Sequence, residues 1–302
     1  MYKPKVAIMM STYNGERFIE QQLDSLVKQQ KVCIYIFIRD DGSTDNTIKV
    51  IENFKVKRNF RDIYLTKGKN VGYAKSFLNI VKDIPECYDY YFYCDQDDIW
   101  DIDKITIATN VLKDTKSVYV SSLRYVDDNL NTIKIREYKD IPTTLPSIFT
   151  RMRFAGCTMG FTPEIVHAAK ILLNNFQYIY ITHDAFILSL CEALGGTIYV
   201  DQKPHISYRR SDSSITPGGR NFLNRLRYEL KRIHCIDNLD IFSSELIKNN
   251  LYCKKYERYL KCCSMYKNKL YNKLLLIKFT IGSSKNAILD IEAILKIIFN
   301  TF

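Results

Sequence analysis

The chain has 302 residues, 46% hydrophobic and 25% charged, which argues against extensive disorder and suffices for one large α/β domain with an appendage or for two modest domains. Its net charge of +11 is confined to one end: residues 1–202 hold 25 Lys/Arg and 25 Asp/Glu, whereas residues 203–302 hold 19 against 8. Nine cysteines, an odd number with no Cys-x-x-Cys spacing, argue against a zinc site or disulfide framework and fit reduced thiols in a cytosolic compartment.

In chain order, Lys5 to Met10 reads as a buried strand and Arg17 to Gln29 as an amphipathic helix with Phe18, Leu23, Leu26 and Val27 inward. Val32 to Ile38 is the second strand, Thr44 to Phe54 the second helix, and Ile63 to Leu65 a short third strand. A helix from about Tyr73 to Val81 precedes a fourth strand, Tyr88 to Cys94. This alternation predicts βαβ units and an α/β fold with a Rossmann-like, mainly parallel central sheet flanked by helices. A helix from Lys104 to Lys113, a strand from Val118 to Val126 and a loop marked by Pro142 and Pro146 follow. Gly156 to Phe161 reads as a strand, Pro163 opens a helix to about Leu173, and Asp184 to Leu194 is a further helix ended by Gly195-Gly196. Thr197 to Val200 and Ile206 to Arg209 read as short strands. After Gly218-Gly219 basic amphipathic helical patterns run to the end, so the expected division is an α/β domain over 1–215 and a basic helical region over 216–302. No signal peptide is expected ahead of the first strand, and the apolar run Leu274 to Ile277 is too short to span a bilayer.

Three polar motifs sit where strands give way to helices. Ser11-Thr12-Tyr13-Asn14-Gly15-Glu16 follows the first strand, well placed for a nucleotide at a helix N-terminus, although Asn14 and Gly15 also serve a plain turn. Arg39-Asp40-Asp41-Gly42-Ser43-Thr44-Asp45 ends the second; its carboxylates suit a ribose or a pyrimidine N–H, and its Ser/Thr suit a helix cap. Cys94-Asp95-Gln96-Asp97-Asp98-Ile99-Trp100 stops an apolar strand at three carboxylates within four residues. Like charges this close repel, and a divalent cation with oxygen ligands, Mg²⁺ or Mn²⁺, is the simplest compensation.

Taken together, STYNGERFIEQQLDSL, DDGSTDNT, KNVGYAKSF and DQDDIW resemble the blocks of family-2 glycosyltransferases with the GT-A fold. Gly156-Cys157-Thr158-Met159, Thr182-His183-Asp184 and Tyr208-Arg209 extend the resemblance to the bacterial subgroup that builds rhamnose-containing polysaccharides. It spans residues 5 to about 215, and DQDDIW is its most specific part. The resemblance implies that Thr12, Tyr13 and Glu16 hold base and ribose, that Asp41 reads the pyrimidine edge, and that Lys75 approaches the diphosphate. It implies Asp97 as metal ligand, with Asp95 on the ribose or a metal-bound water, and Asp184 as the base of an inverting transfer. His183, Trp100 and Arg209 are the auxiliary, acceptor-side candidates. Where the subgroup has Asp-Trp-Trp this chain has Asp184-Ala185-Phe186, and where it has Tyr-Arg-Gln-His this chain has Tyr208-Arg209-Arg210-Ser211.

The implied donor is dTDP-L-rhamnose or a UDP-hexose, and the implied acceptor a hydroxyl of a lipid-linked or growing surface polysaccharide. The basic tail has amphipathic stretches at Arg220 to His234, Leu274 to Phe279 and Ile288 to Phe299. These suit peripheral association with the inner, cytoplasmic face of the cell membrane, or alternatively a helical subdomain with a solvated basic face. Three rival readings stand beside this one. A sugar-phosphate nucleotidyltransferase calls for a Gly-rich, Lys/Arg-bearing loop after the first strand, which STYNGERF is not. A nucleic-acid-binding protein leaves DQDDIW without a role, so no nucleic-acid partner is expected. A non-catalytic nucleotide-binding scaffold is separated by turnover of a nucleotide-sugar.

Overall fold

A computed structural model describes residues 2–112, 116–175, 181–210, 232–233, 235 and 237–302 of the chain. The chain forms two compact units: Met1–Lys139 with Phe154–Leu173 and Gly196–Ser211, and Asp140–Arg153 with Asn174–Gly195 and Asp212–Phe302.

The first unit is built on β1 (Lys5–Thr12), whose residues Val6 to Met10 are all fully buried, as expected of a strand covered on both faces. α1 (Ile19–Val27) turns Ile19, Leu23 and Leu26 inward at i, i+4 and i+7. β2 (Cys33–Asp40) alternates, with Ile34, Ile36 and Ile38 buried. α2 (Thr47–Lys57) buries Ile51 and Phe54; β3 (Ile63–Lys67), α3 (Tyr73–Asp83) and β4 (Tyr90–Cys94) follow. All three contacts in the run β3-β2-β1-β4 are parallel, with Thr12 beside Asp40 and Met10 beside Cys94. The loops that leave β1, β2 and β4 therefore emerge side by side from one edge, where α/β sheets bind ligands. β5 (Ile99–Trp100), α4 (Lys104–Val111), β6 (Ser117–Val126), β7 (Thr132–Arg136), β8 (Gly160–Phe161) and β9 (Thr197–Arg209) complete a nine-stranded sheet of order β3-β2-β1-β4-β8-β6-β9-β5, with β7 on β6. Most of its paired length is parallel, in agreement with the sequence reading.

Several elements differ in detail. The expected strand at Gly156 to Phe161 is a 3-10 turn, Gly156–Thr158, before the two-residue β8. The two expected strands after Gly196 are one strand, β9, whose register on β6 jumps from Asp201 to Pro204, so the break at Pro204 is a bulge. The loop from Arg136 to Arg153 contains β7's last residue and α5 (Leu145–Thr150); Pro146 lies in the first turn of α5, where its missing N–H costs nothing. α6 (Pro163–Asn175) starts as expected.

In the second unit, α5 packs against α7 (His183–Ala193). The C-terminal region is helical: α8 (Leu239–Lys248), α9 (Glu257–Met265), α10 (Leu270–Thr280) and α11 (Ala287–Phe299). Phe149, Phe186, Phe242 and Tyr259 form its aromatic core, with ring centroids 5.7–6.1 Å apart. The amphipathic stretch at Arg220 to His234, with Ser211 and Asp212, lies outside the described residues save for Arg232 and Ile233.

Gly160 lies where β8 meets β4, and a Cβ built on it would stand 2.4 Å from the Phe92 ring. Gly160→Ala is expected to cost about 1–3 kcal/mol through overpacking, which lowers the melting temperature by about 2–8 °C. An unchanged melting curve would show that the Phe92 ring gives way freely.

Candidate active site at the strand ends

The loops after β1 and β2 are tied to each other by their own polar residues. Thr12, almost fully buried, donates its hydroxyl to Asp40 at 3.0 Å, and the same carboxylate accepts the Ser43 N–H at 2.9 Å and the Ser43 hydroxyl at 2.5 Å. Across the gap, Asn14 N–H donates to Ser43 Oγ at 2.9 Å, and Thr44 N–H to Asn14 Oδ1 at 2.8 Å. Glu16 accepts the Asn46 N–H at 2.7 Å and Nδ2 at 2.9 Å. Thr12 and Glu16 thus build the edge, while the Tyr13 ring is exposed. The Gln96 side chain holds the Tyr13 backbone at both ends, accepting its N–H at 2.9 Å and donating to its carbonyl at 3.1 Å. Gly15 leaves room for it, since a Cβ there would stand 2.2 Å from Gln96 Oε1 and the amide would have to shift.

Asp41 faces the β3–α3 loop. Its buried carboxylate accepts the N–H groups of Val71 at 3.0 Å and Gly72 at 2.9 Å and a donor from Arg39 at 3.2 Å. Gly42 follows at φ +88°, in the left-handed region, with its would-be Cβ 3.2 Å from the Asn70 nitrogen. Lys75 is exposed on the first turn of α3.

The acidic motif closes the group. Asp95 and Asp97 are half-buried and Asp98 is 1% exposed. Burial, against the nearby charge of Arg209, pushes the Asp97 carboxyl above its ordinary range; burial, then Asp97 and Asp95, push Asp98 well above it. Asp98 Oδ1 accepts the Arg209 N–H at 3.2 Å, while its buried Oδ2 has no hydrogen bond of ordinary geometry among the described residues. The Arg209 side chain reaches back to the Asp128 carbonyl and to Gln21, with its guanidinium 4.4 Å above the Phe18 ring. Ligand atoms of Asp95, Asp98 and Cys157 lie within 4.8 Å of one another. This cluster takes Asp95 and Asp98 from the three-carboxylate motif, shares only Asp95 with the Asp95/Asp97 pair that the resemblance implied, and adds Cys157, which the sequence reading did not assign to a metal. Burial, then Asp98 and Asp95, raise the Cys157 thiol far above its usual value, so it stays protonated and does not suit a hard cation. The carboxylates do suit one: they are oxygen donors, crowded and short of positive charge.

His183 and Asp184 belong to the second unit, at the start of α7. Asp184 is half-buried and its Oδ1 accepts the Ala185 N–H at 2.8 Å; the cap position itself is held by Thr182. Burial, opposed by the charge of Asp184, lowers the His183 pKa and keeps the ring neutral. Trp100, an acceptor-side candidate, is instead a core anchor. It is 3% exposed, its backbone N–H donates to Ser25 Oγ at 3.1 Å, and the Lys104 Nζ stands 3.6 Å from its ring centroid.

Lys104 is the residue that sequence reasoning missed. It opens α4 fully buried, with Nζ 5.2 Å from the Phe92 ring and no hydrogen-bond partner among the described residues. Burial lowers its pKa to about 8, against the raising charges of Cys157, Cys94, Asp98 and Asp101. A buried ammonium thus lies within electrostatic reach of the acidic loop.

Residues 7–167 match the family model "Glycosyl transferase family 2". A dTDP-rhamnosyl transferase RfbG of Shigella flexneri is 34% identical over 238 residues, covering 76% of this chain and 79% of that protein. An abequosyltransferase RfbV of Salmonella typhimurium is 29% identical over 38% of this chain and 34% of its own. Among solved structures, TarS 1–349 of S. aureus with UDP-GlcNAc superposes at a TM-score of 0.57 and 16% identity over 97% of this chain and 88% of that one. A Pyrobaculum calidifontis mannosyltransferase with GDP-Man and Mn²⁺ does so at 0.52 and 14%, over 100% and 89%. These structural likenesses concern the fold, which is of the GT-A type.

The buried ammonium gives a pH signature. A lysine whose pKa falls from 10.5 unfolded to about 8 folded destabilises the fold while charged. That cost is lifted as pH rises through this window. Relative to Lys104→Met, the wild type is expected to gain about 3 kcal/mol of unfolding free energy between pH 8 and pH 10.5. Urea titrations of both proteins at the two pH values measure the difference, and a constant gap would contradict a buried ammonium at this place.

Proposed function

The chain belongs to glycosyl transferase family 2, and from that membership we propose that it transfers a sugar from a nucleoside-diphosphate donor, with inversion and with the help of a divalent cation, to a hydroxyl of a lipid-linked or growing surface polysaccharide. The observation that carries this reading is the cluster of Asp95, Asp97 and Asp98 at the end of β4, beside the braced loops after β1 and β2. The 34% identity to a dTDP-rhamnosyl transferase favours dTDP-L-rhamnose as donor over a UDP-hexose. A surface-glycan acceptor implies work at the cytoplasmic face of the membrane. The catalytic domain of this reading runs from residue 1 to about 215, with the basic helical region after it.

In this reading Thr12, Tyr13, Glu16 and Asp41 shape the edge that takes base and ribose, and Lys75 offers its charge to the diphosphate. Asp95 and Asp97 hold Mg²⁺ or Mn²⁺, with Asp98 behind them, and Arg209 fixes that loop through its backbone N–H. When bound, the cation supplies positive charge to the departing diphosphate. Asp184 accepts the proton of the acceptor hydroxyl as that oxygen attacks the anomeric carbon, on the face opposite the leaving group, and His183 helps to orient the acceptor.

Two substitutions test the roles. Asp184→Asn keeps the shape and the oxygen that receives the Ala185 N–H, so it is expected to melt near the wild-type temperature and to bind dTDP or UDP normally. Transfer is expected to fall by roughly two to four decades; near-normal transfer would place the base elsewhere, and a large stability loss would make Asp184 a structural residue. Asp97→Asn is expected to lose Mn²⁺ binding, read by electron paramagnetic resonance, together with transfer. Full activity of metal-stripped enzyme would remove the cation from the reaction.

A further inference from the structure

The last two helices form a surface on which apolar and basic side chains stand without any acidic one. On α10, Leu270, Tyr271, Leu274 and Ile281, just past its end, are exposed at i, i+1, i+4 and i+11, with Lys278 at i+8 on the same stripe. On α11, Ile288, Ile291, Ile298 and Phe299 are exposed at i, i+3, i+10 and i+11, with half-buried Leu295 between them. Leu270 is 73% exposed and Ile288 71%, so these side chains add nothing to the core. Such stripes on a water-soluble helix are normally turned inward.

The charges are sorted to match. From Tyr266 to Phe302 the only acidic side chains are Asp290 and Glu292, and both point inward. Asp290 accepts the N–H groups of Gly282 at 2.8 Å and Ser284 at 3.2 Å, and Glu292 pairs with Arg151 at 2.7 Å and Arg232 at 3.0 Å. Of the six lysines in this stretch, Lys296 is buried against Asp237, Lys267 pairs with Asp240, and Lys273 caps the Ile298 carbonyl. Lys269, Lys278 and Lys285 remain exposed beside the apolar stripes. No described helix is long and apolar enough to cross a membrane.

We propose that the exposed stripes of α10 and α11 are a membrane-docking surface that lays its apolar residues into the interface of an anionic bilayer, with Lys269, Lys278 and Lys285 on the headgroups. A partner protein or a second copy would be served by the apolar residues alone; the exclusion of every exposed carboxylate is what an anionic lipid surface selects. The proposal rests on the membrane-face reading of the acceptor for its purpose, but its test does not depend on transfer.

The probes are vesicles of phosphatidylcholine alone and of phosphatidylcholine mixed with phosphatidylglycerol, with the full chain assayed by co-sedimentation. The wild type is expected to bind the mixed vesicles, to ignore the neutral ones, and to be released by salt. Each lysine near an anionic surface contributes about a factor of five, so Lys269→Glu/Lys278→Glu/Lys285→Glu is expected to weaken binding at least about a hundredfold. Leu274→Gln/Ile288→Gln/Ile291→Gln is expected to bind at least tenfold more weakly and to melt as the wild type does, since all three side chains are already exposed. Wild-type affinity in both variants, or no binding by the wild type, would overturn the surface. So would a dimer in sedimentation velocity that the glutamine variant dissolves while vesicle binding is absent. Donor turnover measured in parallel separates the two readings: turnover without vesicle binding removes this surface and leaves the transferase, and vesicle binding without turnover of any nucleotide-sugar does the reverse.

Discussion

Three carboxylates at the mouth of a fully buried strand are the constraint around which the first unit is arranged. β4 runs through the core with Tyr91 to Cys94 excluded from water, and within four residues the chain must house Asp95, Asp97 and Asp98. Asp98 is buried, which disfavours its charge, and the protein groups that answer it are the backbone N–H of Arg209, the Cys157 thiol and, nearby, a lysine that is itself buried without a hydrogen-bond partner among the described residues. This crowding of carboxylates is the observation on which the proposed cation site rests. Its hydrogen-bonding needs also reach into neighbouring elements, since β9 must end beside β4 for the Arg209 N–H to be present.

The loops after β1 and β2 answer a different demand. Loops that accept a ligand are costly to order at the moment of binding, and here that ordering is done in advance by the protein's own side chains. Asp40, Ser43, Asn14, Thr44, Glu16 and Asn46 satisfy one another across two loops, and Gln96 carries the same bracing to the acidic motif by gripping the Tyr13 backbone. Residues that look from sequence like ligand contacts form, in this fold, a framework that braces two loops against each other.

The parallel half of the sheet was legible because its strands are continuous apolar runs and its helices carry apolar residues at helical spacing; β1, α1 and β4 could be read from those signals alone. The motifs were legible for the same reason, since polar residues interrupt those runs at fixed places. What escaped was structure decided by tertiary contact. β5 is two residues long, and β7 is an exposed strand that exists only because β6 pairs with it. Pro146 was read as a loop marker although Pro is equally at home in the first turn of α5. The resemblance offered Trp100 as an acceptor-side candidate, yet its ring is buried beside Phe92 and Lys104. Lys104 offered nothing to read: a lysine opening a helix is nearly always solvated, and only the packing of Phe92, Trp100 and α4 removes it from water.

Trp100 is the chain's sole tryptophan, and it is buried with the Lys104 ammonium 3.6 Å from its ring centroid. An indole that close to a charge has its emission set by the local field, and no second indole exists to dilute the signal. The protein therefore carries a built-in optical probe two residues from the DQDD carboxylates, one whose emission follows the charge around a single indole.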